Sequence, residues 1–212
     1  NMIPSKENME LANLVGEWLK NEVAPVCGEY DEKNEFPEKL YAQMTELGLN
    51  IMCTPEEYGG LDLSAVAQTL IAEQLGRYEV GLGSAVGANA SATHLMNQFG
   101  SPEQKKIFFD ILVNGGWAAF CLTEPNAGSD AGSVATTAEE TEDGYVINGT
   151  KCFITNGGIA GVYLVFASMD RSLGVKGISC FLVERDREGI SIGKHENKMG
   201  IRLSNTTEVV LD

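Results

Sequence analysis

Positive charge is scarce in this chain: 15 Lys and Arg stand against 30 Asp and Glu, a formal net charge of −15 over 212 residues. That balance excludes nucleic acid as a partner, because neutralising phosphates takes clustered basic side chains. Histidine is nearly absent. His94 and His195 stand alone, one read as a helix residue and the other as an exposed loop residue, and neither has a partner at metal or triad spacing. The five cysteines, at 27, 53, 121, 152 and 180, form no C-x-x-C pair and read as buried, reduced thiols. No run approaches the ~20 apolar residues of a membrane span. The opening Asn1-Met2-Ile3-Pro4 shows no basic-then-apolar targeting pattern; Asn1 reads as a tag remnant and Met2 as the native start. A cytoplasmic protein is expected. The chain also has no G-x-G-x-x-G, no Walker loop and no G-x-S-x-G elbow. What it does have is a 43% hydrophobic content, enough for a packed core.

The first ~115 residues read as helical. Leu11, Leu14, Val15, Trp18, Leu19 and Val23 recur at steps of a few residues, the stripe of an amphipathic helix that Pro25 limits. A second helix is expected from Pro37 through Leu47, with Gly48 as its C-terminal cap. Pro55-Glu56-Glu57-Tyr58-Gly59-Gly60 reads as a loop. Ser64 is placed to cap a third helix, and Ser101-Pro102-Glu103-Gln104 starts another through a capping box. Between them, Gly81 to Ala92 is built almost wholly of Gly, Ala and Ser. Such a stretch fits either tight helix packing or a wall left thin for a ligand. Glu73 and Glu79 beside it read as solvated helix charges.

After Gly115-Gly116 the texture changes to short strands: 117–122, 134–141, 145–147, 151–155, 162–167, 178–183, 190–192 and 208–211. Asp143-Gly144 and Asn148-Gly149 are both hairpin signals. Helices followed by strands, with no βαβ alternation, give an α+β chain. It divides into a helical domain over 1–115 and a mainly antiparallel, β-barrel-like domain over 116–212. The chain stops at Asp212 directly after a strand, which reads as a truncation.

The most informative stretch is Cys121-Leu122-Thr123-Glu124-Pro125-Asn126-Ala127-Gly128-Ser129-Asp130-Ala131-Gly132-Ser133. An apolar strand breaks into hydroxyls and successive backbone N–H groups around Gly128, the chemistry of an anion-binding nest. A second candidate is Phe153-Ile154-Thr155, where an aromatic can cover a flat ring and a hydroxyl can meet its polar edge. The first of these runs resembles the Leu-Thr-Glu-Pro…Gly-Ser-Asp signature of the acyl-CoA dehydrogenase family. Phe153-Ile154-Thr155, Asn148-Gly149-x-Lys151, Pro55–Gly60 and Lys198-Met199-Gly200-Ile201-Arg202 resemble further family stretches, although no site role is assigned to the last.

The resemblance covers essentially the whole chain. It implies a helical N-terminal domain and a β middle domain that binds FAD, in a homo-oligomer that is usually a tetramer. By motif, Phe120, Leu122 and Thr123 would line the flavin ring, with the nest around Gly128 beside them. Ser129 would meet the pyrophosphate or the acyl-CoA arm. Phe153 would pack on the ring within the Phe153-Ile154-Thr155 stretch, and Thr155 would bond near the reactive flavin nitrogen. The implied reaction is α,β-dehydrogenation of an acyl-CoA thioester to the trans-2-enoyl-CoA, with electrons passed to an electron-transferring flavoprotein. The family's usual catalytic Glu lies in a C-terminal domain these residues do not include. Glu124 is assigned a structural role in its turn, and no catalytic residue or metal ligand is assigned. The 212 residues alone are expected to be inactive. The alternatives are an enoyl-CoA reductase or acyl-CoA oxidase on the same fold, or a non-catalytic binding or assembly module.

Overall fold

Local chemistry sets the helix ends. The computed structural model describes residues 3–212, so the reading of Asn1 and Met2 falls outside it. Ser5 opens α1 (Lys6–Trp18) through a capping box with Asn8. Ala12, Val15, Leu19 and Val23 are buried, whereas Leu14 is 58% exposed, so the apolar face is narrower than its periodicity suggests. Pro25 offers no N–H, and the chain before it widens into a π-helical turn, Leu19–Val23, in which Ala24 N reaches Leu19 O. A short helix, α2 (Cys27–Lys33), follows and ends at left-handed Asn34. It was not foreseen, because it buries none of its residues and so carries no apolar stripe. Pro37 stands just before α3 (Glu38–Glu46), and Gly48 at φ +73° turns the chain away after it. Ser64 caps α4 (Ala65–Tyr78), and Ser101 with Gln104 boxes the start of α6 (Pro102–Val113), as expected.

Between these lies α5 (Val80–Phe99). Glu79 is its cap: the half-buried carboxylate accepts from Gly81 N at 2.8 Å, which corrects its reading as a solvated charge. The small residues of α5 serve close packing at two points. A Cβ on Gly83 would press on Leu75 of α4, and one on Gly81 would lie 3.1 Å from Ser204 N. Gly87 meets nothing within 4 Å.

By compactness the chain forms two units. One runs through Gly115 and also includes Asn197–Ser204; the other is Gly116–Glu196 with Asn205–Asp212. The 197–204 segment is fastened to the helices by backbone contacts. Arg202 donates to Asp31 O, and Tyr41 OH donates to Leu203 O. Lys198 Nζ closes the segment on Ser204 O. Among the described residues no helix is long and apolar enough to cross a membrane.

The second unit is a curled mixed sheet, a half-barrel. Its strands are β1 (Ala118–Cys121), β2 (Thr137–Thr141), β3 (Gly144–Thr155), β4 (Val162–Ser168), β5 (Ile178–Glu184), β6 (Ile190–His195) and β7 (Thr206–Leu211). The order is β1-β4-β2-β3-β7-β6, with β5 beside β4. β1 and β2 run parallel to β4, and the remaining pairs are antiparallel. The β2–β3 hairpin turns just before Gly144, as the sequence predicts. Asn148-Gly149 is not a turn and lies inside β3. Gly149 is small for a different reason: a Cβ there would run into the side chain and Cα of Thr136. The core alternates along the strands, with Ala119, Cys121, Ile154, Tyr163, Val165 and Val209 facing inward together.

One buried ion pair ties this unit together. Lys151 Nζ lies 2.6 Å from Glu124 Oε1, with the two side chains 0% and 4% exposed. Glu124 also accepts from Ala135 N, Thr136 N and Thr136 Oγ1 at 2.5–3.0 Å. Lys151 donates further to Leu122 O at 3.2 Å. Burial alone would raise the Glu124 carboxyl, but these donors outweigh it and hold it below its ordinary 4.5. Burial pushes the Lys151 ammonium down, against the pull of Glu124.

Lys151→Met leaves a buried carboxylate without its cation. The expected cost is about 3–5 kcal/mol, or roughly 6–20 °C in Tm by calorimetry. The depressed carboxyl makes the pair's contribution fully present above pH 4.5, and it is lost as pH falls through the lower folded value. Wild-type stability should therefore decline on acidification in urea titrations, and Glu124→Gln should flatten that decline. Two glycines separate packing from propensity. Gly149→Ala is expected to destabilise by about 1–3 kcal/mol, whereas Gly87→Ala stabilises by about 0.5–1 kcal/mol.

Candidate functional site

The two stretches singled out in the sequence lie side by side. Cys152 N donates to Thr123 O at 2.9 Å, and Asn156 Nδ2 donates to Ala118 O at 3.2 Å. Residues 118–123 and 152–156 thus run antiparallel, edge to edge. Because Ala119 and Cys121 face the core, Phe120 and Leu122 emerge on the opposite face, both half-buried. There the Phe120 ring packs on Phe166 at 4.9 Å between centroids. Thr123 is half-buried at the start of the loop.

On the neighbouring strand, register slips between Lys151 and Ile154. At this bulge Phe153 takes φ +57° and its residue is 62% exposed. An aromatic held in the left-handed region and facing solvent is costly, and such outliers concentrate where ligands bind. Ile154 is 2% exposed and its side chain belongs to the core, so it offers a ligand only its backbone. Thr155 is half-buried and pairs with Thr206.

The loop after β1 is a compact device. Glu124 and Ala127 exchange backbone hydrogen bonds at 3.0 and 3.1 Å, folding Pro125-Asn126 into a tight turn. Gly128 and Ser129 then project into solvent, and Gly128 has nothing within 4 Å of a would-be Cβ. Asp130 accepts from Ser133 Oγ and begins a single 3-10 turn, Ala131–Ser133. Glu124 itself sits inside, engaged by Lys151 and the 135–136 backbone, so it has no free oxygen facing a ligand.

Beyond the loop is a cleft of about 260 Å³, lined by residues 132–135, Ser168, Arg171 and Gly174. The Arg171 guanidinium donates to Ala135 O. Ser168, 4% exposed, has an Oγ with no hydrogen-bond partner among the described residues. Sequence reasoning missed both residues. Ser168 reaches the loop only because β4 runs beside β2, with Ser168 N bonded to Thr136 O, a pairing no local motif announces. Among the described residues, no group of three or more His, Cys, Asp or Glu is arranged to hold a metal. Cys53, Cys121 and Cys152 are buried thiols, as expected, but Cys27 is half-buried and Cys180 exposed. Desolvation pushes Cys53 up to about 11, leaving it unreactive at neutral pH.

Both parts of the chain match known proteins. Residues 5–116 match the family described as acyl-CoA dehydrogenase, N-terminal domain, and residues 119–212 match the acyl-CoA dehydrogenase middle domain. A short-chain specific acyl-CoA dehydrogenase of Clostridium acetobutylicum is 40% identical over 98% of this chain and 55% of its own length. An acryloyl-CoA reductase (NADH) of Anaerotignum propionicum is 38% identical over 98% and 54%. Butyryl-CoA dehydrogenase from Megasphaera elsdenii superposes with a TM-score of 0.93 at 36% identity, over 99% of this chain and 56% of that one. A chain in a structure of the electron transferring flavoprotein of Acidaminococcus fermentans gives 0.94 at 37%, over 100% and 56%. A Bacillus anthracis acyl-CoA dehydrogenase complexed with FAD gives 0.87 at 38%, over 99% and 36%. The chain therefore spans about half the length of the curated relatives it matches. Matched in both domains and along nearly its whole length, it belongs to the acyl-CoA dehydrogenase family.

Proposed function

We propose that this chain supplies the helical and β portions of an FAD-dependent acyl-CoA dehydrogenase. The observation that carries the reading is the exposed Phe153, held at φ +57° one residue from the core and two from the Thr155 hydroxyl. A flat, partly polar ring system is what such an aromatic and such a hydroxyl can bind together. The likeness to a dehydrogenase complexed with FAD supports the same cofactor.

The residues fit a flavin. Phe153 would lie on the ring and Thr155 at its polar edge, with Phe120, Leu122 and Thr123 forming the adjoining wall and the Ile154 backbone between them. The N–H groups around Gly128, with Ser129, would hold the pyrophosphate or the acyl-CoA arm. Bound FAD supplies the hydride acceptor for the β-hydrogen of an acyl-CoA thioester. The protein's part is to bind, orient and exclude water. The neighbouring cleft, with Arg171, glycine backbone and the unpartnered Ser168 hydroxyl, suits the phosphate-bearing end of CoA.

None of these residues is proposed as the base that takes the α-proton. The candidate loop holds two acids: Glu124 is fully engaged by its ion pair, and Asp130 accepts from Ser133 Oγ. The 212 residues alone are therefore expected to be inactive and the whole gene product active. The electron acceptor in this reading is an electron-transferring flavoprotein, in line with the likeness to a chain of that complex. The assembly is a homo-oligomer, a tetramer by family resemblance. Cytoplasmic location fits the five free thiols, which a reducing compartment maintains. A second reading, an enoyl-CoA reductase, draws on the 38% identity to an acryloyl-CoA reductase.

The anaerobic absorbance spectrum of the whole gene product, before and after a series of saturated acyl-CoA thioesters, tests this. A flavin spectrum bleached by one member is expected. A flavin that no saturated thioester bleaches favours the reductase, and no flavin after FAD is supplied sinks both. The 212 residues alone should give no acyl-CoA-dependent dye reduction. In the whole protein, Ala88→Phe or Ala90→Phe on the small-residue helix is expected to shorten the preferred acyl chain. An unchanged kcat/KM ranking would remove α5 from the acyl pocket.

A further inference from the structure

Two residues with left-handed backbone bracket Ile154-Thr155: Phe153 at φ +57° and Asn156 at φ +64°. Neither is glycine. Strained positions of this kind persist only where their surroundings over-determine them. On the Phe153 side the anchor is Lys151, fully buried against Glu124. On the Asn156 side the anchor is a residue far along the chain, Asn205, which is 7% exposed and immediately precedes β7.

Asn205 grips the turn after Thr155 twice. Its backbone oxygen accepts from Asn156 N at 2.8 Å, and its side-chain Oδ1 accepts from Gly158 N at 2.7 Å. The fit leaves no slack. A Cβ on Gly158 would lie 2.8 Å from Asn205 Oδ1, and one on Gly157 would run into Thr207 Oγ1. Tyr163 OH, fully buried, closes the same turn by donating to Gly157 O at 2.9 Å. The next residue, Thr206, is the register partner of Thr155. Asn205 thus sets both where β3 ends and which residue stands opposite Thr155.

We infer that Asn205 is a positioning residue for the Thr155 hydroxyl, acting through the Asn156-Gly157-Gly158 turn rather than by touching a ligand. The inference rests on the proposed reading in which Thr155 meets the polar edge of the flavin. Hydrogen bonds to that edge tune its electronics, so a displaced Thr155 changes the flavin itself and not merely the fold.

The test uses the whole, flavin-loaded protein and compares Thr155→Ala, Asn205→Leu, Asn205→Asp and the Thr155→Ala/Asn205→Leu double variant. The readouts are the visible flavin spectrum, its reduction potential, and kcat against KM. Asn205→Leu keeps the size and removes the acceptor. It should shift spectrum and potential in the same direction as Thr155→Ala and lower kcat about ten- to hundredfold with KM little changed. Asn205→Asp keeps an acceptor for Gly158 N and should restore most of both. The double variant should add little to Thr155→Ala alone, because the two act in one chain of contacts. Should Asn205→Leu not fold, Asn205→Ser retains the backbone bond from Asn156, loses Oδ1 and gives the same readout. A flavin unchanged by the Asn205 variants but perturbed by Thr155→Ala overturns the inference and leaves the functional reading standing. A flavin indifferent to Thr155→Ala, or absent from the wild type, overturns both.

Discussion

The Glu124–Lys151 pair is the constraint on which the candidate site depends. It lies at the root of a loop whose two ends would otherwise be free to separate. Lys151 reaches back to Leu122 O, and Glu124 reaches forward to the backbone of Ala135 and Thr136, so one pair of charges closes the whole excursion. Burying two charges is expensive, and hydrophobic residues of similar size can replace such a pair without loss of stability. The pair supplies something apolar packing would not: directional bonds to backbone atoms at both ends of the loop. The interior of the loop is left to solvent, with Gly128 and Ser129 outermost. A rigid frame around an open, donor-rich turn is the arrangement expected where an anionic ligand is to be received.

The strand beside that loop follows a similar logic with different materials. A bulge and two left-handed residues would ordinarily mark a weak place in a sheet. Here they aim Phe153 and Thr155 outward while Ile154 stays in the core. The chain goes from a fully buried ammonium to an exposed aromatic within two residues. The stability of the half-barrel core, with Tyr163, Val165 and Val209 fully buried, offsets that local strain.

Much of the framework was legible because its signals are local. Ser64, Ser101 and Gln104 act within one turn of helix, and each sits where its cap was expected. Family resemblance then singled out residues within 120–129 and 153–155, and the structure lays 118–123 beside 152–156. The failures share a cause as well. Gly149 carries the same sign for a turn as for a close approach, and only Thr136, brought over it by the hairpin, decides between them. Lys151 stood out only as part of a family stretch, and nothing near it in sequence announces a carboxylate 27 residues away. Helix α2 has no apolar stripe to find, since it buries none of its residues. Ser168 and Arg171 border the loop only through a parallel strand pairing, the kind of contact a single sequence does not display.

Segment 197–204 carries a further consequence, one of timing. It lies late in the chain yet belongs to the helical unit, where Arg202 takes up the Asp31 carbonyl and Leu203 receives the Tyr41 hydroxyl. During synthesis helices α1–α6 emerge first, but these partners arrive only after strands β1–β6 have left the ribosome. The helical unit therefore waits for its last segment while the sheet is being made. Folding of the helical unit is completed by a segment made after most of the sheet.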